Sequence, residues 1–136
     1  MKASITFILL LLLITTSVYS LDEETKRHMI ELYNLTRSQY ILIIDLLDDL
    51  SNSKISTNLA EEKINEWKTE YRKKTENPPN EAEKVCDLMN KIIDLTEDIV
   101  SDYEPHNQRT KDKLNELEDI KKKFLSEMHE LNYILQ

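Results

Sequence analysis

The chain has 136 residues, carries 26 acidic against 18 basic residues for a formal charge of −8, and contains no glycine. A negative charge of this size disfavours nucleic acids and anionic membranes as partners. The lack of glycine excludes glycine-rich phosphate loops and favours helix throughout. A chain of this length is expected to form one domain with its own core.

The first twenty residues have the pattern of a secretory signal peptide. Lys2 supplies a positive start, Ile5–Ile14 is an apolar run, and Val18-Tyr19-Ser20 resembles a cleavage site. The run is too short to span a bilayer comfortably, so we expect cleavage after Ser20 and a secreted, extracellular protein. Because cleavage removes Lys2 and no acid, the mature domain, residues 21–136, would carry a charge of −9.

The first predicted helix runs from about Asp22 to Leu50. Its core face follows a three–four spacing and comprises Met29, Leu32, Thr36, Tyr40, Ile43, Leu47 and Leu50. A second apolar stripe lies beside the first and comprises Leu35, Leu42 and Leu46. The wider apolar face predicts a helix that is buried on two sides, and a surface for a partner is the alternative.

Asn34-Leu35-Thr36 is an N-glycosylation sequon on this helix. The helical wheel places Asn34 opposite the core stripe, where it would be exposed. Asn34 is therefore the predicted glycosylation site of a secreted protein.

The second and third helices are predicted to begin with similar capping patterns. Asn58 with Glu61, and Asn80 with Glu83, each resemble a capping box. A Pro-Pro pair just before Asn80 ends the second helix, because proline cannot continue the hydrogen-bond ladder. The core stripe of the second helix comprises Ala60, Ile64, Trp67 and Tyr71.

The third helix ends near Pro105, and the fourth begins at about Gln108. The core stripe of the third comprises Val85, Leu88, Met89, Ile92, Thr96, Ile99, Val100 and Tyr103. That of the fourth comprises Leu114, Leu117, Phe124, Met128, Leu131 and Leu135, with Ile120, Leu125 and Ile134 beside it. The pattern predicts an all-α fold of two helix–loop–helix hairpins, residues 22–76 and 80–135, paired as an antiparallel bundle or as in calmodulin.

The two halves of the chain resemble each other. IIDLLDDL, which starts at Ile43, matches IIDLTEDI, which starts at Ile92, at a shift of 49 residues. KINEW, which starts at Lys63, matches KLNEL, which starts at Lys113, at a shift of 50. Because the two shifts, 49 and 50, agree to within one residue, we interpret the chain as a duplicated hairpin; chance similarity between acid-rich helices is the alternative.

Cys86 is the only cysteine, so no disulfide can form within the chain. We interpret Cys86 as a buried thiol on the third helix. A disulfide-linked dimer, or a mixed disulfide with a small thiol, is the alternative. The spacing of the three histidines places no base near the thiol, so we expect no catalytic cysteine.

Acidic residues concentrate near the ends of the first and third helices. They are Asp45, Asp48 and Asp49 in the first helix and Asp94, Glu97 and Asp98 in the third. These two helices run the same way in an up–down bundle, so both groups would collect at one end of the molecule. Carboxylates that repel one another are stabilised by Ca2+ or Mg2+, which makes this acidic end a candidate cation site; a solvated charged surface is the alternative.

The segment from Asp48 to Leu59 can be compared with a twelve-residue calcium loop. With Ile55 at the aliphatic eighth position, Leu50 takes the third position and Leu59 the twelfth. Both positions need oxygen ligands, and the sixth, Ser53, needs glycine. We therefore expect a turn in which Ser56, Thr57 and Asn58 compete as caps, and any ion would bind to the helix-end acids around it.

The stretch after this turn is similar to a motif of the SXP/RAL proteins, a family of small secreted nematode proteins. The matching residues are Ile55, Ser56 and Thr57, followed by Glu61, Lys63, Ile64 and Trp67. The resemblance covers about residues 40–71. It implies an all-helical domain of two helix–loop–helix halves, likened to calmodulin, with cation binding and no enzymatic activity.

The sequence contains no catalytic triad, no metal-binding histidine pair and no glycine loop. We therefore expect a secreted, non-enzymatic helical binding protein with weak cation binding at its acidic end. The alternatives are an effector that acts on a host or extracellular protein, and a carrier of a small apolar ligand between the hairpins. Trp67 is expected to serve packing rather than ligand contact.

Overall fold

The computed structural model describes residues 22–136, which form four α-helices and no strand. The helices are α1 (Glu23–Ser51), α2 (Thr57–Lys74), α3 (Asn80–Ser101) and α4 (Gln108–Leu135). The predicted all-α fold is confirmed. The predicted signal peptide, residues 1–20, lies outside the described residues. Among residues 22–136, no helix combines the length and the hydropathy that crossing a membrane requires.

The four helices alternate in direction because each connection has only five or six residues. Ion pairs along one seam show this directly: Lys84 pairs with Glu127, and Asp102 pairs with Arg109, so α3 and α4 are antiparallel. The parallel helices α1 and α3 touch each other, whereas α2 and α4 do not. The two predicted arrangements were an antiparallel bundle and a calmodulin-like pairing, and the molecule has the antiparallel bundle. In its cross-section, the diagonal from α1 to α3 is shorter than the diagonal from α2 to α4.

Three helices begin at a residue whose side chain accepts a backbone N–H. Asp22 caps α1, Ser56 caps α2 and Asn107 caps α4, through bonds of 2.6, 3.2 and 2.8 Å. Of the competing caps predicted for α2, Ser56 is the one used, and Asn58 of the predicted capping box lies inside the first turn. Serine and asparagine are both good caps, and the structure selects the one that directly follows the core residue Ile55.

α3 begins without a side-chain cap. Asn80, the predicted cap, is the first helical residue, and Pro79 stands at the cap position with a φ of −56°. The ring of proline holds φ near the value that leads into a helix, but it has no oxygen to accept an N–H. The backbone closes the first turn instead, through a 2.9 Å bond from the Ala82 N–H to the Pro79 carbonyl.

α1 ends in a Schellman motif. The Lys54 N–H bonds to the Asp49 carbonyl at 2.8 Å, and the Ser53 N–H bonds to the Leu50 carbonyl at 3.2 Å. These bonds satisfy carbonyls that a helix end leaves open. The motif places Ser53 in the left-handed region, with a φ of 57°, where a residue with a Cβ costs about 1–2 kcal/mol.

The core surrounds α3, which contacts all three other helices and buries ten of its 22 residues. Pairs of positions related by the proposed repeat share this burial, as Ile43 with Ile92 and Leu50 with Ile99 show. Trp67 packs half-buried against the core, as predicted.

The second stripe of α1 is less buried than predicted. Leu46 is 3% exposed, Leu35 is half-buried, and Leu42 is 41% exposed. The prediction that α1 is buried on two sides is therefore wrong at Leu42. α2 reaches past the level of Leu42, since Tyr71 of α2 bonds to Thr36. The physical reason is therefore the direction of Leu42, which lies on a side of α1 that no other helix covers.

One polar contact lies deep in the core. The Thr36 and Tyr71 hydroxyls are 2.9 Å apart and join α1 to α2, and the Cys86 thiol of α3 interacts with the Tyr71 hydroxyl. Burial raises the pKa of Tyr71 well above its ordinary value and also raises the pKa of the Cys86 thiol. Gln39, one turn further along α1, has a buried Nε2 that finds no hydrogen-bond partner among residues 22–136.

Candidate functional site

Two of the three predicted cation ligands of α3 are paired with basic side chains of α2. Asp94 accepts a 2.6 Å bond from Arg72, and Glu97 accepts bonds of 3.1 and 3.3 Å from Lys68. Arg72 also donates to the Asn90 side chain at 3.3 Å. These two carboxylates therefore already have counter-charges from within the bundle.

The other predicted ligands lie on the surface of the same end of the bundle. Asp45, Asp48 and Asp98 are exposed, and Asp49 is half-buried. Within residues 22–136, no three acidic, histidine or cysteine side chains are close enough together to hold a metal ion. The geometry therefore favours the alternative of a solvated charged surface, and it offers Ca2+ or Mg2+ no preformed site.

The segment from Asp48 to Leu59 shares some features with a calcium loop and lacks others. α1 stays helical through Ser51, so the first four positions of the supposed loop belong to a helix. Ser53, at the position where a calcium loop needs glycine, does take a positive φ. Ile55 packs against the core. The segment is a helix end followed by a capped helix start, as expected from its missing ligands.

The sequon has an exposed acceptor and a buried threonine. Asn34 lies on the solvent side of α1, as predicted, whereas Thr36 is fully buried and bonded to Tyr71. In the folded bundle only the acceptor half of the sequon is accessible. Glycosylation of Asn34 stays a prediction, and it would have to precede the packing of α1.

The predicted burial of the thiol is confirmed, since Cys86 is free and 3% exposed. A disulfide to another chain would require this part of α3 to open. The interior between the hairpins is likewise filled by side chains, with Ile64, Met89 and Ile92 all 0% exposed. Neither a Cys86-linked dimer nor a small apolar ligand between the hairpins has support from this packing.

A groove runs along the α3–α4 seam. Its floor is apolar and consists of Leu88 and Leu95 of α3 and Ile120 of α4. Leu95 is 9% exposed, and the other two are half-buried. We call this surface the α3–α4 groove.

The charges of the α3–α4 groove are segregated. The end near the start of α3 carries four lysines, Lys84, Lys91, Lys122 and Lys123, together with Asp87 and Glu127. The other end carries three acids, Asp94, Asp98 and Glu116. We call these the basic end and the acidic end.

Several groove charges have no ion pair among residues 22–136. At the basic end, Lys84 pairs with Glu127 at 3.4 Å, but Lys91, Lys122 and Lys123 have no acidic partner in the described chain. The charge of Lys91, Lys122 and Lys123 is therefore available to a partner. At the acidic end, Asp98 and Glu116 have no ion pair among residues 22–136 either, whereas Asp94 is paired with Arg72. The Lys113 ammonium also lies at this end and donates to the Asp98 main-chain carbonyl at 3.5 Å.

Sequence patterns had assigned this groove no role. Leu88 and Ile120 were placed correctly on or beside the core stripes, but a stripe does not reveal that its edge stays open. A charge count along each helix could have found the lysines of α3 and α4. Their convergence requires the antiparallel register of the two helices, which only the fold provides.

Comparison of the chain with family models, with curated proteins and with solved structures finds no match. The fold therefore defines the class, a four-helix antiparallel bundle, and the resemblance to the SXP/RAL proteins stays a prediction.

Proposed function

We propose that the chain is a secreted, non-enzymatic binding protein whose α3–α4 groove docks an amphipathic helical segment of an extracellular protein. The observation that carries the proposal is the apolar floor of the groove between two ends of opposite charge. Secretion is supported by the signal-peptide pattern of residues 1–20. An SXP/RAL-like role at a host or cuticle surface would agree with this proposal.

The dimensions of the groove suit a helix. Lys84 and Asp98 are fourteen residues apart on α3, which corresponds to about 21 Å or four turns. Leu88 and Leu95 are seven residues apart, the spacing at which an apolar stripe on a docked helix repeats. An occupant with leucines on one face would cover the floor and remove it from water.

The charges of the groove define the chemistry of the occupant. Acidic side chains at one end of the docked helix would meet Lys91 and Lys123, and basic side chains at its other end would meet Asp98 and Glu116. Such complementarity contributes more to specificity and association rate than to affinity. The partner is therefore an amphipathic helix whose charges are segregated along its length.

Two synthetic peptides of identical composition would test the proposal. Both carry the same leucine stripe; in one the acids and lysines are segregated to opposite ends, and in the other they are interleaved. Fluorescence anisotropy of the labelled peptides against the secreted protein should show at least about tenfold tighter binding of the segregated peptide. Equal binding of the two peptides, or binding of neither, would overturn the proposal.

A matched pair of variants locates the binding. Lys91→Glu with Lys123→Glu reverses the basic end of the groove and should abolish the preference for the segregated peptide. Lys63→Glu with Lys73→Glu makes the same change in net charge on exposed positions of α2, a helix that does not touch α4. This control should bind as the parent does; an equal loss in both variants would place the binding elsewhere.

A further inference from the structure

We infer that the α3–α4 groove also binds a second copy of this chain, as a twofold symmetric dimer with α3 against α3 and α4 against α4. This inference rests on the proposed docking role of the groove and names one occupant. A surface with one basic and one acidic end is complementary to itself when a twofold axis lies across its middle, because the axis brings each end onto the opposite end of the other copy.

The register of the groove residues fits such an axis. The α3–α4 ion pairs Lys84–Glu127 and Asp102–Arg109 set the level of each α4 residue against α3. An axis that crosses α3 near Lys91, the innermost lysine of the basic end, then crosses α4 near Ile120. The Lys91 residues of the two copies both lie beside this axis, and their like charges oppose association. This one axis places Lys84 opposite Asp98 of the second copy.

The same axis accounts for two further contacts without adjustment. It places Leu88 of α3 opposite Leu95 of the second copy, so the apolar floors face each other. It also places Lys123 of α4 opposite Glu116 of the second copy. Because α3 and α4 independently give the same centre, a shared axis serves both helices, as an isologous interface requires.

The size of the surface is adequate for a weak dimer. α3 has 22 residues and is therefore about 33 Å long, and two adjacent helices are about 20 Å wide. Each copy would then bury about 650 Å2, a total near the lower limit of specific interfaces. The net negative charge of each copy opposes association, but screening in physiological salt limits this repulsion to about 8 Å. A reversible, concentration-dependent dimer is expected.

Charge reversal with complementation provides a sharp test. The first variant, Lys84→Glu with Lys123→Glu, makes both groove ends acidic. The second, Asp98→Lys with Glu116→Lys, makes both ends basic. Each variant alone should repel its own copy, whereas one copy of each would restore all four opposite-charge contacts.

Sedimentation velocity of the secreted protein, under reducing conditions that exclude disulfides, measures the result. The parent should sediment faster as its concentration rises; each variant alone should dimerise at least about tenfold more weakly, and their equimolar mixture should dimerise again. The Lys63→Glu with Lys73→Glu control should behave as the parent does. Circular dichroism establishes that each variant is folded.

The outcomes separate this inference from the proposed function. If the parent stays monomeric at all concentrations but binds the segregated peptide, the dimer is overturned and the docking function stands. If the parent dimerises but the mixture of variants does no better than either alone, the dimer uses another surface and the inference is overturned. If the parent neither dimerises nor binds the peptide, both proposals fall.

Discussion

Ser53 occupies a backbone conformation that glycine would adopt without strain. We expect Ser53→Gly to stabilise the protein by up to about 1 kcal/mol, because relief of the left-handed strain exceeds the entropy that glycine adds to the unfolded chain. Thermal unfolding followed by circular dichroism measures the change. Asn52→Gly is the control: Asn52 has a φ of −92°, so glycine should lower stability there. A rise in both variants would contradict this account.

The Thr36–Tyr71 contact is a buried polar link between helices. Tyr71→Phe should destabilise the bundle by about 1–3 kcal/mol, because it leaves the Thr36 hydroxyl buried without its partner. Thr36→Val combined with Tyr71→Phe removes both polar groups. In urea unfolding, the free energy lost by the double variant should therefore be smaller than the sum of the losses of Thr36→Val and Tyr71→Phe measured separately. Additive losses would indicate that the two hydroxyls do not depend on each other.

The raised pKa values of Tyr71 and Cys86 predict a loss of stability in alkali. The folded protein holds both protons, whereas in the unfolded chain the thiol ionises near about pH 8.5 and the phenol near about pH 10. Stability is therefore fully present below these values and falls as the pH rises through them. Thermal melts between neutral pH and strong alkali should show this fall. In the plot of stability against pH, Tyr71→Phe should reduce the fall at the higher pH values, where the phenol ionises. Cys86→Ala should reduce the fall at the lower values, where the thiol ionises. Unchanged slopes in both variants would refute this cause.

At the scale of helices, α2 is held mainly by its apolar face. Lys68 and Arg72 pair with α3, but the four side chains involved are 25–60% exposed, where an ion pair contributes less than about 1 kcal/mol. Ile64 of the same helix is fully buried. Chemical denaturation should therefore show a loss below about 1 kcal/mol for Arg72→Gln and of about 2–5 kcal/mol for Ile64→Ala. A reversed order would mean that charge rather than burial holds α2.

For the whole molecule, the separation of the acids predicts its response to divalent cations. Millimolar CaCl2 or MgCl2 should leave the melting temperature at the value found in NaCl of equal ionic strength, because no group of ligands is assembled among residues 22–136. A saturable rise with CaCl2 alone would reveal a bound ion. In that case Lys68→Gln with Arg72→Gln, which frees Glu97 and Asp94, should increase the rise further.

The sequence predicted the positions of the helices better than their caps and their exposed faces. Apolar spacing found all four helices to within a few residues at each end, since periodicity reports which face is buried. It misassigned the caps of α2 and α3, because Ser56, Asn58 and Asn80 are all competent caps and local chemistry does not choose between them. It also overestimated the burial of Leu42, because apolar spacing does not show which sides of α1 the other helices cover.

The sequence predicted the candidate site less well than the fold, because it did not show which charged residues come together. The acids of α1 and α3 were expected to act together, but two of them, Asp94 and Glu97, are paired with α2. The lysines that matter for the proposed groove are scattered over α3 and α4 in the sequence. Neither arrangement can be read from a single helix, since each depends on which neighbour packs against it.

The sequence by itself determined the all-α class, the number of helices and most of the core, because helical periodicity is a local property of the chain. The tertiary structure alone decided that α1 lies against α3, that Tyr71 reaches Thr36, and that basic and acidic residues segregate along the α3–α4 groove. These features depend on the register between helices. Register is set by the loops and by side-chain packing across the whole bundle, which no single segment of the sequence contains.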